Sequence, residues 1–119
     1  MRIHHLNCGC MCPLGGRWMD GFSVGASSRL VCHCLLVETD GGLVLVDTGF
    51  GEKDVERPVP RLSAFFVAVN RIRFERRYTA LAQVEALGFR REDVKHIVLT
   101  HLDFDHAGGL SDFPNATVH

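Results

Sequence analysis

No stretch of this chain approaches the roughly 20 consecutive apolar residues that a membrane span requires. Its first residues, Met1-Arg2-Ile3-His4-His5-Leu6-Asn7, carry one cation with no apolar segment behind it. Neither a transmembrane helix nor a secretory signal peptide is therefore expected. An excess of charge is missing too: 13 basic side chains stand against 14 acidic ones, for a net charge of -1. That balance gives no electrostatic reason to expect a nucleic acid or a membrane surface as partner. Internal repeats and low-complexity segments are absent. Nor do the cysteines make an even set: there are five, Cys8, Cys10, Cys12, Cys32 and Cys34. An odd count without an export signal points to reduced thiols in a cytoplasmic protein rather than to a disulfide framework.

What is present suits one globular unit. The 119 residues are 46% hydrophobic with a mean hydropathy of +0.07, enough for a core and too apolar for a disordered chain. A chain of this size buries roughly 65% of the surface its unfolded form exposes.

Residues 1–8 read as a short strand and 9–28 as a loop rich in glycine and cysteine. The run from Leu30 to Thr39 is β-rich and apolar, and Asp40-Gly41-Gly42 then supplies a tight turn. Leu43-Val44-Leu45-Val46 returns as a second strand, so an antiparallel pair is expected with Asp47 at its tip. Residues 51–62, charged and holding Pro58 and Pro60, read as a connection, and Ser63 to Phe74 fits either a helix or a strand, with helix preferred. A firmer helix is expected over 78–87, with Tyr78, Leu81, Val84 and Leu87 near one face and Gly88 at its left-handed end. His96-Ile97-Val98-Leu99 forms a compact strand that runs into Thr100-His101, and a last strand begins near Ala116. Strands and helices mixed in this order around one sheet indicate an α/β layer.

The chemistry is concentrated in His101-Leu102-Asp103-Phe104-Asp105-His106. Four of these six residues can bind a metal. A regular strand would send 106 to the face opposite 101, 103 and 105, and a regular helix would align 101 with 105 while turning 103 away. A turn leaving the 96–99 strand is therefore expected, with Ala107-Gly108-Gly109 giving the backbone room to bend. Imidazole and carboxylate together suit zinc, iron or manganese. Four donors packed this closely fit two ions better than one tetrahedral ion, and a pair of ions about 3.5–4 Å apart can generate a hydroxide nucleophile and polarise the bond it attacks. The alternative is a set of surface polar groups in which Asp105 merely caps a short helix over Gly109–Phe113.

With these residues in view, the sequence resembles the metallo-β-lactamase fold superfamily. That family carries Thr-His-x-His-x-Asp-His after a strand, and this chain reads Thr100-His101-Leu102-Asp103-Phe104-Asp105-His106-Ala107-Gly108-Gly109. Asp47-Thr48-Gly49, closing an apolar strand, matches a second family landmark. The resemblance implies an α/β fold, namely the N-terminal half of a four-layer αβ/βα sandwich with a mixed sheet covered by helices, as a single partial domain over 1–119. It implies that His101 and Asp103 bind one divalent metal and that Asp105 and His106 bind a second. Asp105 would also act catalytically by orienting the nucleophile, and Asp47 would buttress the loop without being a ligand. Zinc is the expected metal. Asp103 stands where the family most often has His, which makes that site more oxygen-rich and keeps iron or manganese open. An acidic residue there is also a feature of the flavodiiron branch. Further ligands come from the family's second half, so this chain is expected to be a truncated form that binds metal weakly and turns over little.

The function implied is a metal-dependent hydrolase acting on an ester, lactone or related carbonyl of a small-molecule substrate. The Asp-His-Ala-Gly-Gly run leans toward acyl-homoserine lactonases, and His106, where β-lactamases proper usually carry Arg, leans away from antibiotic hydrolysis. Two other readings compete: a truncated, non-catalytic metal-binding or interaction module, and an iron-dependent redox protein of the same fold. Self-association through uncovered apolar surface is also expected. Outside the loop, the five cysteines read as packing residues, because structural zinc sites prefer wider spacing than these. His4, His5 and His33 read as structural or solvent-facing, and Phe65, Phe66, Phe74, Val67 and Val69 as core before pocket lining. Arg71, Arg73, Arg76 and Arg77 read as a solvated face rather than an anion site.

Overall fold

The computed structural model describes residues 1–119. Alternation within the apolar run at 30–39 sets the middle of the fold. Cys32, Cys34 and Leu36 are buried while Val31 and His33 are exposed, the period of two that a pleated strand imposes. β1 (Arg2–Met11) pairs antiparallel with β2 (Leu30–Thr39), which pairs antiparallel with β3 (Gly42–Val46). One helical turn, α1 (Arg17–Asp20), lies between β1 and β2. β3 is parallel to β4 (Val94–Val98), and β4 to β5 (Thr117–Val118), so the five strands form a mixed sheet in sequence order.

β1 runs three residues beyond the expected strand. Its register shifts between Asn7 and Cys10, where Cys8 and Gly9 share the place opposite Cys32. Such a bulge spoils the period of two, which hides the strand from sequence inspection. The expected hairpin forms, with Thr39 opposite Gly42, although the positive φ falls on Gly42 (119°) and not within the Asp40-Gly41 loop.

The crossover from β3 to β4 carries the helices. The segment 51–62 is more than a connection: it holds α2 (Glu52–Glu56) and the short turn α3 (Pro58–Arg61). Their free N–H groups are taken up by carboxylates, Gly51 N–H by Asp54 (3.0 Å) and Glu52 N–H by Asp112 (2.9 Å). Asp112 lies 60 residues further along, so no local pattern announces that cap. α4 (Ala64–Asn70) falls inside the expected helix and starts where Ser63 accepts the Phe66 N–H. α5 (Ala80–Ala86) is shorter than the helix read at 78–87: Thr79 caps it, Tyr78 belongs to a 3-10 turn, and Gly88 (φ 88°) ends it as expected. Leu81 and Val84 are buried, whereas Leu87 is 41% exposed and lies off the packed face.

One face of the sheet, including Leu6, Cys8, Cys34, Leu36, Leu43, Leu45 and Ile97, packs on Ala80, Leu81 and Val84 of α5 and on Phe113. A smaller cluster of Cys32, Phe50 and Leu62 gathers Phe66, Val67, Ile72 and Phe74 around it. The opposite face stays open, with Val31 and Val98 at 47% and 40% exposure beside exposed His5, His33 and His96. β4 begins two residues earlier than read from the sequence and ends at Val98, after which Leu99 N–H still bonds to the His119 carbonyl. No helix is long and apolar enough to cross a membrane.

Candidate metal centre

Because β3 and β4 are parallel neighbours, their C-terminal ends open at the same edge of the sheet. The segments that follow them, Asp47-Thr48-Gly49 and the 100–109 loop, therefore meet there, at the kind of strand end that α/β folds use for ligands. Asp47 N–H extends the ladder to the Val98 carbonyl (2.9 Å), and Asp47 then turns sharply at φ 57°. Thr48 grips the loop from the other side: its N–H and its hydroxyl both donate to the His106 carbonyl, at 2.7 and 2.9 Å. Gly109 N–H reaches the Thr48 hydroxyl oxygen and the Gly49 carbonyl. The approach is close enough to require glycine, since a Cβ on Gly109 would lie 2.9 Å from the Thr48 carbonyl.

The loop is not a simple turn. Residues 101–103 are irregular, and α6 (Phe104–Ala107) adds one helical turn before the 3-10 segment Gly108–Asp112. This combination brings His101 and His106 together, with ring centroids 3.8 Å apart.

One carboxylate orders both imidazoles. Asp47 Oδ1 accepts the Thr100 N–H (2.8 Å), and Oδ2 accepts both the Thr100 hydroxyl (2.7 Å) and His106 Nδ1–H (2.9 Å). With its proton committed to Asp47, the Thr100 hydroxyl can only accept from His101 Nδ1–H, 3.0 Å away. Both histidines are thus set in the tautomer that leaves Nε2 with a free lone pair. Burial pushes the Asp47 carboxyl up, but the bonds from Thr100 N–H, His106 and the Thr100 hydroxyl together hold it below the usual carboxylate range.

The residues present fit a divalent cation. Ligand atoms of His101, Asp105 and His106 lie within 4.8 Å of one another, a donor set of two imidazoles and a carboxylate. His106 Nε2 is 3.4 Å from Asp105 Oδ2. Asp103 is not drawn into that cluster; its carboxylate is 80% exposed, and Oδ2 stands 3.6 Å from His101 Nε2. Asp47 is buried beneath the loop, bonded to Thr100 and His106. Sequence inspection missed Thr100, the link between Asp47 and His101. Its signal was its place directly between an apolar strand and the first histidine.

Beside the loop a cavity of about 620 Å³ is lined by Pro60, Arg61, Ser63, Phe66 and Phe104, with Asp103 and Asp105 at its metal side. Arg61 Nε donates to fully buried Asp54 (2.7 Å), which fixes the guanidinium on that wall. Of the apolar residues read at 65–74, Phe66 reaches this cavity, Phe65 is exposed, and Phe74 packs edge-on against Phe50. The thiols take no part. Cys8, Cys10, Cys32 and Cys34 are buried and form no disulfide; desolvation raises the pKa of Cys32, and the hydrogen bond that the Cys34 thiol donates to Cys8, together with burial, raises that of Cys34, so both remain neutral.

Residues 28–119 match the sequence profile of the Metallo-beta-lactamase superfamily. A protein named probable metallo-hydrolase from Mycobacterium tuberculosis is 50% identical over all of this chain, which spans 34% of that relative. An N-acyl homoserine lactonase of Bacillus cereus is 32% identical over 89% of the chain, which covers 45% of its length. Among solved structures, a protein described as a probable metal-dependent hydrolase from Staphylococcus aureus shares the fold with a TM-score of 0.73 at 24% identity, over 98% of this chain and 45% of that one. An N-acyl homoserine lactone hydrolase, solved with the product N-hexanoyl-L-homoserine at its catalytic metal centre, superposes with a TM-score of 0.72 at 26% identity, over 98% of this chain and 46% of that one. The chain therefore spans about a third to a half of the proteins it matches.

Proposed function

The chain belongs to the metallo-β-lactamase superfamily, and on that premise we propose that it supplies the metal-binding half, residues 1–119, of a hydrolase of small ester or lactone substrates. The observation that carries this reading is the pair of Nε2 atoms, on His101 and His106, freed by a hydrogen-bond relay from one buried carboxylate. Each Nε2 has its own carboxylate beside it, Asp103 next to His101 and Asp105 next to His106. That pairing favours two ions over one. Zinc suits the imidazoles, and the two carboxylates leave iron or manganese as alternatives. A lactone is favoured because a relative named for that activity covers 89% of this chain, and a solved structure that covers 98% of it holds the product N-hexanoyl-L-homoserine at its catalytic metal centre.

His101, Asp103, Asp105 and His106 would hold the divalent ions, which would supply Lewis-acid chemistry that makes water more acidic near neutral pH. The chain's own residues do the rest. Asp47 and Thr100 keep both imidazoles in the ligating tautomer. Asp105 orients the attacking water by accepting its hydrogen bond. Phe66 and Phe104, whose ring centroids are 6.3 Å apart, offer apolar walls that hold a short acyl arm and exclude bulk water. Five cysteines cannot all pair, which favours a reducing compartment such as the cytoplasm. The open sheet face with Val31 and Val98 favours burial against a second copy or further chain.

Metal content by elemental analysis, read beside the rate of homoserine-lactone opening, tests the reading. His106→Ala and Asp105→Ala are expected to lower metal affinity by more than the ~10–100-fold that loss of a supporting bond costs, and the rate with it. Asp103→Ala, on the exposed side, is expected to cost less. Unchanged metal content in the His106 and Asp105 variants would overturn the proposal.

A further inference from the structure

The four arginines of the segment 71–77 part company in the fold. Arg76 is paired with Glu52 (2.8 Å) and Glu85 (3.3 Å), and Arg77 with Glu75 (2.7 Å). Arg71 and Arg73 form no ion pair; they line, with Arg29, Cys12, Ser27 and Ser28, a separate cavity of about 340 Å³ at the far end of α4 from the metal loop. Arg29 forms no ion pair either. Three arginines thus border one hollow without a carboxylate among its walls.

Their backbones are held in place. Cys12 N–H bonds to the Asn70 carbonyl and Arg73 N–H to the Cys10 carbonyl, which ties 70–73 to the end of β1. Ser28 is buried, and its N–H and hydroxyl both donate to the Pro13 carbonyl, at 2.9 and 3.1 Å. Arg29 N–H is anchored on Asp20, whose carboxylate is also occupied by Phe22 N–H, Ser23 N–H and the Ser23 hydroxyl. Asp20 is thus folded onto its own loop by four bonds, and it is not among the walls of the hollow. Arg71 takes the left-handed conformation (φ 46°) as the cap of α4, and its Nη1 donates to the Ser27 hydroxyl oxygen (2.8 Å). That bond leaves the Ser27 proton free to donate outward.

We propose that Arg29, Arg71, Arg73 and the Ser27 hydroxyl form a binding site for a phosphoryl group. Like charges gathered on rigid backbone repel one another, and an oxyanion of two negative charges relieves that repulsion. Planar guanidinium forks match the oxygens of a phosphoryl group pairwise. A tetrahedral group offers several oxygens to several forks at once, whereas a carboxylate with two oxygens satisfies one fork. The site stands apart from the metal loop and does not depend on the hydrolase reading.

Calorimetric titration of the chain in chloride buffer at neutral pH, with inorganic phosphate, glycerol 3-phosphate and succinate as probes, tests it. Saturable one-to-one binding of phosphate or its monoester is expected, with a Kd on the order of 1 mM or tighter. The tighter of those two probes distinguishes a free ion from an esterified group. Arg71→Gln and Arg73→Gln should each weaken binding about tenfold, the loss of a charge-assisted hydrogen bond, and Arg71→Lys should restore part of it. All three arginines are exposed and outside the core, so circular dichroism of the variants is expected to be unchanged. Absence of saturable phosphate binding would overturn the site. So would equal affinity for succinate, or phosphate binding that survives loss of all three arginines.

Discussion

Asp47→Asn isolates what the buried carboxylate does. In the native chain its two oxygens accept three hydrogen bonds, one at Oδ1 and two at Oδ2. An amide presents one oxygen and one NH2 in the same volume. If the oxygen keeps the Oδ2 place, the NH2 faces the Thr100 N–H and that partly buried donor is stranded. In the opposite orientation the Thr100 hydroxyl and His106 lose their acceptor, and His106 must turn its lone pair to Nδ1 and its proton to Nε2. Each stranded donor costs about 1–3 kcal/mol, a fall in Tm of roughly 5–15 °C for a domain of this size. Loss of the carboxylate behind a ligating imidazole costs ~10–100-fold in metal affinity. Differential scanning fluorimetry of the metal-free protein reads the first effect, and competition with a chromophoric zinc chelator reads the second. A variant that keeps both its native Tm and its zinc affinity would refute the relay through Thr100.

Two other substitutions separate backbone effects from burial. Gly49→Ala should destabilise by about 2–4 kcal/mol, because the residue has φ 64° and its new Cβ would lie 2.2 Å from the Cys8 carbonyl oxygen. Gly88→Ala, at φ 88° with nothing within 4 Å of the new atom, should cost only about 1 kcal/mol by urea unfolding; equal costs would mean that crowding at Gly49 is unimportant. Burial raises the Asp112 carboxyl above its ordinary value, so the folded chain holds that proton more tightly than the unfolded one and stability falls as pH climbs from about 4 through the raised value. Asp112→Asn removes this loss while keeping an acceptor for the Glu52 N–H, so its Tm should gain on the native protein across that window; a gain that shrinks as pH rises would contradict the assignment.

The elements most legible in the sequence were those whose determinants are local. Alternation at 30–39 and the Asp-Gly turn after it announced the β2–β3 hairpin, and Gly88 announced the end of α5. The candidate loop stood out for the same reason, since His101, Asp103, Asp105 and His106 lie within six residues and no regular element could align them all. What depends on distant partners stayed hidden. The β1 bulge is a mismatch with β2, the caps of α2 come partly from Asp112, and neither leaves a periodic trace. Arg71 and Arg77 are indistinguishable by composition, yet one meets Glu75 and the other a hollow bordered by Arg29.

The sequence by itself thus determined that one six-residue segment holds two imidazoles and two carboxylates after an apolar strand. Only the tertiary structure decided how they are used: parallel pairing of β3 with β4 sets Asp47 behind the loop, and Asp47 with Thr100 chooses which nitrogen of each ring is free. The physical reason is that a hydrogen bond is selected by distance in space, and residues 53 and 59 positions apart meet only once the sheet has formed.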